Sequence, residues 1–164
     1  MLKLGTFLLA LGSASATFSY LWDGILCPPV CPEGFFGFET KCYVIPRITQ
    51  TWGDAYEFCR TFDSNILRVE TTKEQTFLES VLHDHEGNDF WIGATDLSYE
   101  GDWRWATTNG PVVSKWWMHR EPDNRINREG HRQHCAVLSD RVGYKWSDDD
   151  CLQHFHFICE RHIV

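Results

Sequence analysis

Cys135-Ala136-Val137-Leu138, then Tyr144-Lys145-Trp146-Ser147-Asp148-Asp149-Asp150-Cys151, then His156-Phe157-Ile158-Cys159-Glu160 are the segments on which the fold turns. Three short apolar or aromatic runs, separated by Gly, Asp and Ser, have the length and composition of strands. Cysteines stand at the start of the first run, just after the second and within the third, and three consecutive aspartates precede Cys151. His154 and His156 alternate with Phe155 and Phe157, which places the histidines on the outer face of the last strand.

Toward the N-terminus the character changes. From Thr107 to His134 only Val112, Val113 and the Trp116-Trp117 pair interrupt polar, turn-forming sequence, and a polar excursion of that length inside a compact domain is usually functional or disordered. Before it, Phe90-Trp91-Ile92 and Trp103-Arg104-Trp105 read as further short strands. Earlier still, Thr51 followed by Asp54 is a capping-box pattern. Trp52, Ala55, Tyr56 and Cys59 then fall at i, i+3, i+4 and i+7, one face of a helix. A second helix is predicted from Thr71 or Thr72, burying Phe77, Leu78, Val81 and Leu82. Phe35, Phe36, Phe38, Tyr43 and Val44 around Cys42 predict a first hairpin. Two early helices and a strand-rich second half make an α+β domain.

The chain has 164 residues, 43% of them hydrophobic and 15% aromatic, enough for one domain with a real core. Met1 to Ala16 has the order of a secretory signal peptide: Lys3, the apolar run Leu4 to Leu11, then Ala14-Ser15-Ala16. Residues 1–16 are therefore expected to be a signal peptide and 17–30 a neck, closed by the proline-rich Cys27-Pro28-Pro29-Val30, with the domain spanning 31–164. No other segment has the length and apolarity of a membrane span, so a secreted, extracellular protein is expected. A formal net charge of −8 argues against nucleic acid as a partner. Seven cysteines in an exported chain imply a disulfide framework with one thiol left over, and spacing alone leaves the pairing open.

Taken jointly, Trp91-Ile92-Gly93, Glu121-Pro122-Asp123, Cys135, Trp146-Ser147-Asp148, Cys151 and Phe157-Ile158-Cys159-Glu160 follow the order and spacing of the C-type lectin-like domain, and the chain resembles that family over about residues 31 to 164. The segment Gly93 to Leu97 with Glu100-Gly101, Trp103 and Trp105 is similar to invertebrate secreted lectins of the perlucin-like group. The resemblance implies a disulfide-stabilised fold with two helices, small antiparallel sheets and a long calcium-binding loop region. It implies the pairings Cys59–Cys159 and Cys135–Cys151, with Cys31–Cys42 as the extra hairpin bridge of the long form. Cys27 is then unpaired, and its place beside a proline neck suits an interchain disulfide and a homodimer, with a free or capped thiol as the alternative.

A hard dication takes six to eight oxygen ligands, and the polar excursion supplies Glu121, Asp123, Asn124 and Glu129, with Asp148, Asp149 and Asp150 nearby. Carboxylates in loops are more often merely solvated; what favours Ca²⁺ is Glu-Pro-Asp before one cysteine and Trp-Ser-Asp before the other. In the family, Glu121 and Asp123 match the ends of the sugar-binding triplet, with Pro122 cis, and Asp148 matches the aspartate of Trp-Asn-Asp. Ser147 replaces the asparagine of that motif. For the remaining loop ligand, counting from the triplet gives Glu129 and counting back from Cys135 gives Gln133; Glu129 is preferred because a carboxylate binds Ca²⁺ better than an amide. Carbohydrate is thus expected at Glu121, Asp123, Glu129, Ser147 and Asp148, and Asp96, Glu100 and Asn124 match an auxiliary calcium site.

The expected function is calcium-dependent binding of mannose- or galactose-type glycans, as on microbial surfaces, in innate immunity or agglutination. Two readings compete. The first is the same fold with a degenerate site that binds protein or a mineral matrix, which the irregular triplet and Ser147 favour. The second is a zinc enzyme using His131-x-x-His134 and His154-x-His156, against which stands the absence of any His-Glu-x-x-His or Gly-x-Ser-x-Gly motif, so the chain is not expected to be an enzyme. Trp91, Trp103, Trp105 and Trp146 are core candidates, whereas Trp116 and Trp117 are also suited to stack on a sugar ring.

Overall fold

A computed structural model describes residues 31–85 and 87–163; the expected signal peptide, the neck and Cys27 lie outside the described residues. The first hairpin is β1 (Phe36–Phe38) and β2 (Lys41–Val44), tied to the preceding segment by the Cys31–Cys42 disulfide. Helix α1 (Trp52–Thr61) begins where the capping box placed it, with the Thr51 hydroxyl accepting from the Asp54 amide. A two-residue strand β3 (Asn65–Ile66) leads to α2 (Thr72–Leu82), whose cap is Thr71. Strands β4 (Phe90–Thr95), β5 (Arg104–Trp105), β6 (Cys135–Ser139), β7 (Lys145–Asp149), β8 (His156–Phe157) and β9 (Cys159–His162) follow.

Two small sheets result. The first is antiparallel with order β1-β2-β9-β3, so the last strand closes onto the first hairpin, Val44 facing Cys159. The second runs β5-β4-β6-β7, with β8 parallel to β4. The Cys59–Cys159 disulfide fastens α1 to β9 across 100 residues, and Cys135–Cys151 joins the start of β6 to the residue two beyond β7. In the chain-entropy picture loops of about 100 and about 15 residues are worth about 4.7 and about 3 kcal/mol.

Gly93 shows why a glycine stands in β4. A Cβ there would lie 3.0 Å from Ile66 Cγ2 and 3.2 Å from the Leu67 carbonyl oxygen, because β4 passes against the chain following β3 and the Gly93 amide donates to Leu67 O at 2.8 Å. The tryptophans form the centre of the domain. Trp91 and Trp146 are fully buried, and Trp103, Trp105 and Trp116 nearly so. Trp116, considered above as a sugar-stacking residue, is 9% exposed and packs on Trp146; Trp117 lies between Trp103 and Trp146 at centroid distances of 4.7 and 5.5 Å.

Helix α2 is rolled relative to its expected face: Leu78 and Leu82 are buried with Glu74 and Gln75, while Phe77 and Val81 are half-buried. Partners from distant segments explain this. Gln75 accepts from Trp146 Nε1 and donates to Tyr144 O, both at 3.0 Å, and Glu74 accepts from Tyr43 Oη at 2.8 Å and from Lys41 Nζ at 2.9 Å. Lys41 also meets Glu160 at 2.9 Å, making a buried ionic cluster that joins β2, α2 and β9. Burial, and to a smaller extent Glu74, pushes the Glu160 carboxyl up to about 7 against the pull of Lys41.

Candidate metal centre and ligand cavity

Strand β7 supplies the fixed side of the site. It pairs with β6 in a register that sets Asp148 opposite Ala136 and Ser147 opposite Val137. The loop carrying Glu121-Pro122-Asp123 is pinned to the other edge of β7: Trp146 N donates to Trp116 O at 2.9 Å and Met118 N to Trp146 O at 2.8 Å. The Glu121–Pro122 peptide is cis. Asp148, 2% exposed, then fixes the loop, its two carboxylate oxygens accepting from the Asp123 amide at 3.0 Å and the Asn124 amide at 2.8 Å.

Glu121, Asp123 and Asp148 each bring a carboxylate oxygen into one group whose members all lie within 4.8 Å of one another. Three carboxylates this close repel. Burial, then hydrogen bonding and charge from Asp148, then Asp123, push the Glu121 carboxyl up to about 8. Oxygens bound to one Ca²⁺ sit at about 2.3–2.6 Å from it, hence up to about 5 Å apart across the ion, so the spacing fits that cation. Replacement of a proton by a dication is what would let all three carboxylates ionise together. Arg125 competes in part, with Nε 2.7 Å from Asp123 Oδ2.

These residues open into a cavity of about 190 Å³ that Ser147, Gln133 and Asp149 also line. Gln133 bridges the loop, its Oε1 accepting from the Arg125 amide at 3.0 Å. Glu129, the preferred loop ligand above, is placed elsewhere, with His131 and Asp150. The physical reason is a small hairpin within the loop: Ile126 bridges Arg132, the Asn127 amide donates to His131 O at 2.9 Å, and Gly130 turns the chain at φ 88°. That hairpin absorbs the extra residues, so the position counted back from Cys135 reaches the cavity and the position counted from the triplet does not. A signal was present in Asn127-Arg128-Glu129-Gly130, which is turn-forming sequence.

Asp96 and Glu100 come together as expected, but their third companion is His134, whose Nδ1 lies 2.9 Å from Asp96 Oδ1 and 3.5 Å from Glu100 Oε2. Asn124, grouped with them above, keeps its side-chain oxygen buried without a hydrogen-bond partner among the described residues. His131 and His134, the supposed zinc pair, belong to different groups: His131 Nδ1 faces Asp150 Oδ2 at 3.0 Å. His154 and His156 join no candidate metal group among the described residues.

The comparisons with known proteins agree with this architecture. The model of the Lectin C-type domain family matches residues 48–161. Human "C-type lectin domain family 17, member A" is 32% identical over 142 residues, covering 86% of this chain, which spans 35% of that protein's length. Perlucin from Haliotis laevigata is 31% identical over 136 residues, covering 82% of this chain and 84% of perlucin. Among solved structures, the human scavenger receptor C-type lectin carbohydrate-recognition domain is 29% identical with a TM-score of 0.73, covering 81% of this chain and 99% of that one. With the family match extending over most of the chain, and the fold and three disulfides in accord with it, the chain belongs to the C-type lectin family.

Proposed function

We propose that the protein is an exported lectin that binds glycans through Ca²⁺ held by Glu121, Asp123 and Asp148, with Gln133 rather than Glu129 from the loop. The observation that carries this reading is the convergence of three carboxylate oxygens within 4.8 Å, two from the loop and one from β7. When bound, the ion supplies open coordination positions for neighbouring sugar hydroxyls. The chain's own share is to orient those hydroxyls: Glu121 and Asp123 accept their protons, and the Ser147 hydroxyl, lining the same cavity, both donates and accepts. With carboxylates at both triplet ends and serine for asparagine, the site is rich in acceptors and poor in amide donors, which favours ion retention over strict choice between mannose- and galactose-type geometry. Recognition of microbial surfaces or agglutination is the role this chemistry suits. Asp96, Glu100 and His134 make a second candidate cation group.

A second reading, a lectin-like domain that binds protein or mineral matrix without sugar, is favoured by one contact: Arg125 already holds a carboxylate oxygen of Asp123. Calcium titration by calorimetry, followed by mannose and galactose resins eluted with chelator, separates the two. Uptake of Ca²⁺ lost in Glu121→Ala and Asp148→Ala, with retention abolished by chelator, is the expected result. No uptake at about millimolar Ca²⁺, or retention indifferent to chelator and sugar, would refute the lectin reading.

A further inference from the structure

We infer that the saccharide this cavity takes is anionic, bearing a sulfate or carboxylate that Arg120 and Arg141 receive beside the Glu121, Asp123 and Asp148 centre. This rests on the lectin reading above and adds to it the charge of the ligand. The chain as a whole is acidic, at −8, yet Arg120, Arg125 and Arg141 all line this one cavity. The same cavity holds four carboxylates, those of Asp149 and the three at the centre. With so many acceptors at hand, Arg120 and Arg141 still form no ion pair among the described residues, whereas Arg125 is committed to Asp123 at 2.7 Å. Both guanidiniums stay out of direct ion pairs, Arg141 acting on Asp149 through its charge alone, so the planar fork of donors on each can receive an oxyanion.

Backbone geometry shows that both positions are fixed. Arg120 has φ 73°, the left-handed region that L side chains rarely adopt, in the turn closed by the Glu121 amide donating to Met118 O at 3.0 Å. Arg141 sits in the single helical turn Asp140–Val142, anchored to the scaffold by the Asp140 amide donating to Asp89 Oδ1 at 2.9 Å. No Trp, Tyr or Phe lines the cavity, so hydrogen bonds and charge rather than ring stacking must discriminate ligands there.

The charge count makes anion capture conditional on the ion. Four carboxylates, three of them too crowded to ionise together in the empty site, offset three guanidiniums, and a bound Ca²⁺ makes the lining more positive. An acidic sugar is therefore favoured by the loaded site over the empty one.

Matched pairs of sugars test this on the full chain: galactose against galactose-4-sulfate and against galacturonate, titrated with Ca²⁺ and with chelator. The sulfated or carboxylated member is expected to bind about tenfold more tightly than its neutral parent in Ca²⁺, the advantage shrinking as NaCl is raised. In Arg120→Gly, a change the left-handed backbone favours, and in Arg141→Gln, the acidic-to-neutral affinity ratio is expected to fall, reaching about one in the double variant. Equal affinity for acidic and neutral sugars in the unaltered protein, an unchanged ratio in the double variant, or acidic-sugar binding that persists in chelator would each overturn the inference. Failure to bind any sugar, neutral or acidic, would instead refute the lectin reading on which it depends. Whether sulfate or carboxylate gives the larger gain identifies which anion the arginines fit.

Discussion

Substituting alanine for Gly93 and, separately, for Gly53 should change stability in opposite directions. At Gly93 the added Cβ meets Ile66 Cγ2 at 3.0 Å, Leu67 O at 3.2 Å and Ile66 O at 3.3 Å, all tighter than ordinary contact. Ile66 is fully buried, and Leu67 O is already engaged with the Gly93 amide, so neither can retreat without moving β3 or β4. Overpacking of this kind costs about 1–3 kcal/mol, which for a domain of this size lowers the melting temperature by about 4–10 °C. Gly53 lies in the first turn of α1, exposed, with nothing within 4 Å of the added atom. There the change removes backbone freedom from the unfolded chain and should stabilise by about 0.5–1 kcal/mol. Reversible thermal melts under oxidising conditions compare the two. A Gly93→Ala variant as stable as the parent, or two variants shifted the same way, would refute the claim that close backbone approach, rather than glycine's general tolerance, fixes residue 93.

Further outcomes follow from the site. Without Ca²⁺ the folded protein holds protons at Glu121 and Glu160, whose carboxyls are pushed up to about 8 and about 7 from an ordinary 4.5, so stability in chelator should fall as pH rises from about 4.5 to 8. Melts at a series of pH values check the sign, and Glu121→Gln should flatten the upper part of the curve. Because the ion must displace the Glu121 proton, Ca²⁺ affinity should weaken below about pH 8, with proton release visible by calorimetry in buffers of different ionisation enthalpy. Gln133→Ala should weaken Ca²⁺ binding by about tenfold, while Glu129→Ala leaves it unchanged; the reverse pattern would return the loop ligand to Glu129. Asp123→Asn restores an amide donor and should sharpen preference for mannose-type sugars on a glycan array.

The strong local signals could be read directly. Thr51 with Asp54 and the i, i+3, i+4, i+7 spacing of Trp52, Ala55, Tyr56 and Cys59 located α1 because capping and amphipathicity act within a few residues. The aromatic runs located β4 to β7 for a similar reason, but β3, two residues long, has no periodicity to detect. What escaped was long-range. Glu74 and Gln75 are inside because Lys41, Tyr43, Tyr144 and Trp146 offer them partners 31 to 71 residues away, and no helical pattern encodes that. At the site, Glu121, Asp123 and Asp148 do come together, whereas Glu129 does not join them, because a count along the chain cannot tell an inserted hairpin from an extended loop. His134 lay hidden for want of a carboxylate where one was being sought.

The Lys41 cluster gives the domain a second clasp of a different chemical kind. β2 and β9 are joined to each other by their backbone ladder and by charge through Lys41 and Glu160, both side chains shielded from solvent, whereas sulfur fastens each to a different neighbour, β2 to the Cys31 segment and β9 to α1. Reductant cuts the sulfur links to those neighbours but leaves the ion pair in place, and added salt scarcely reaches an ion pair so shielded. A reducing environment at neutral pH should therefore release β2 and β9 from the Cys31 segment and from α1 without parting the seam between them.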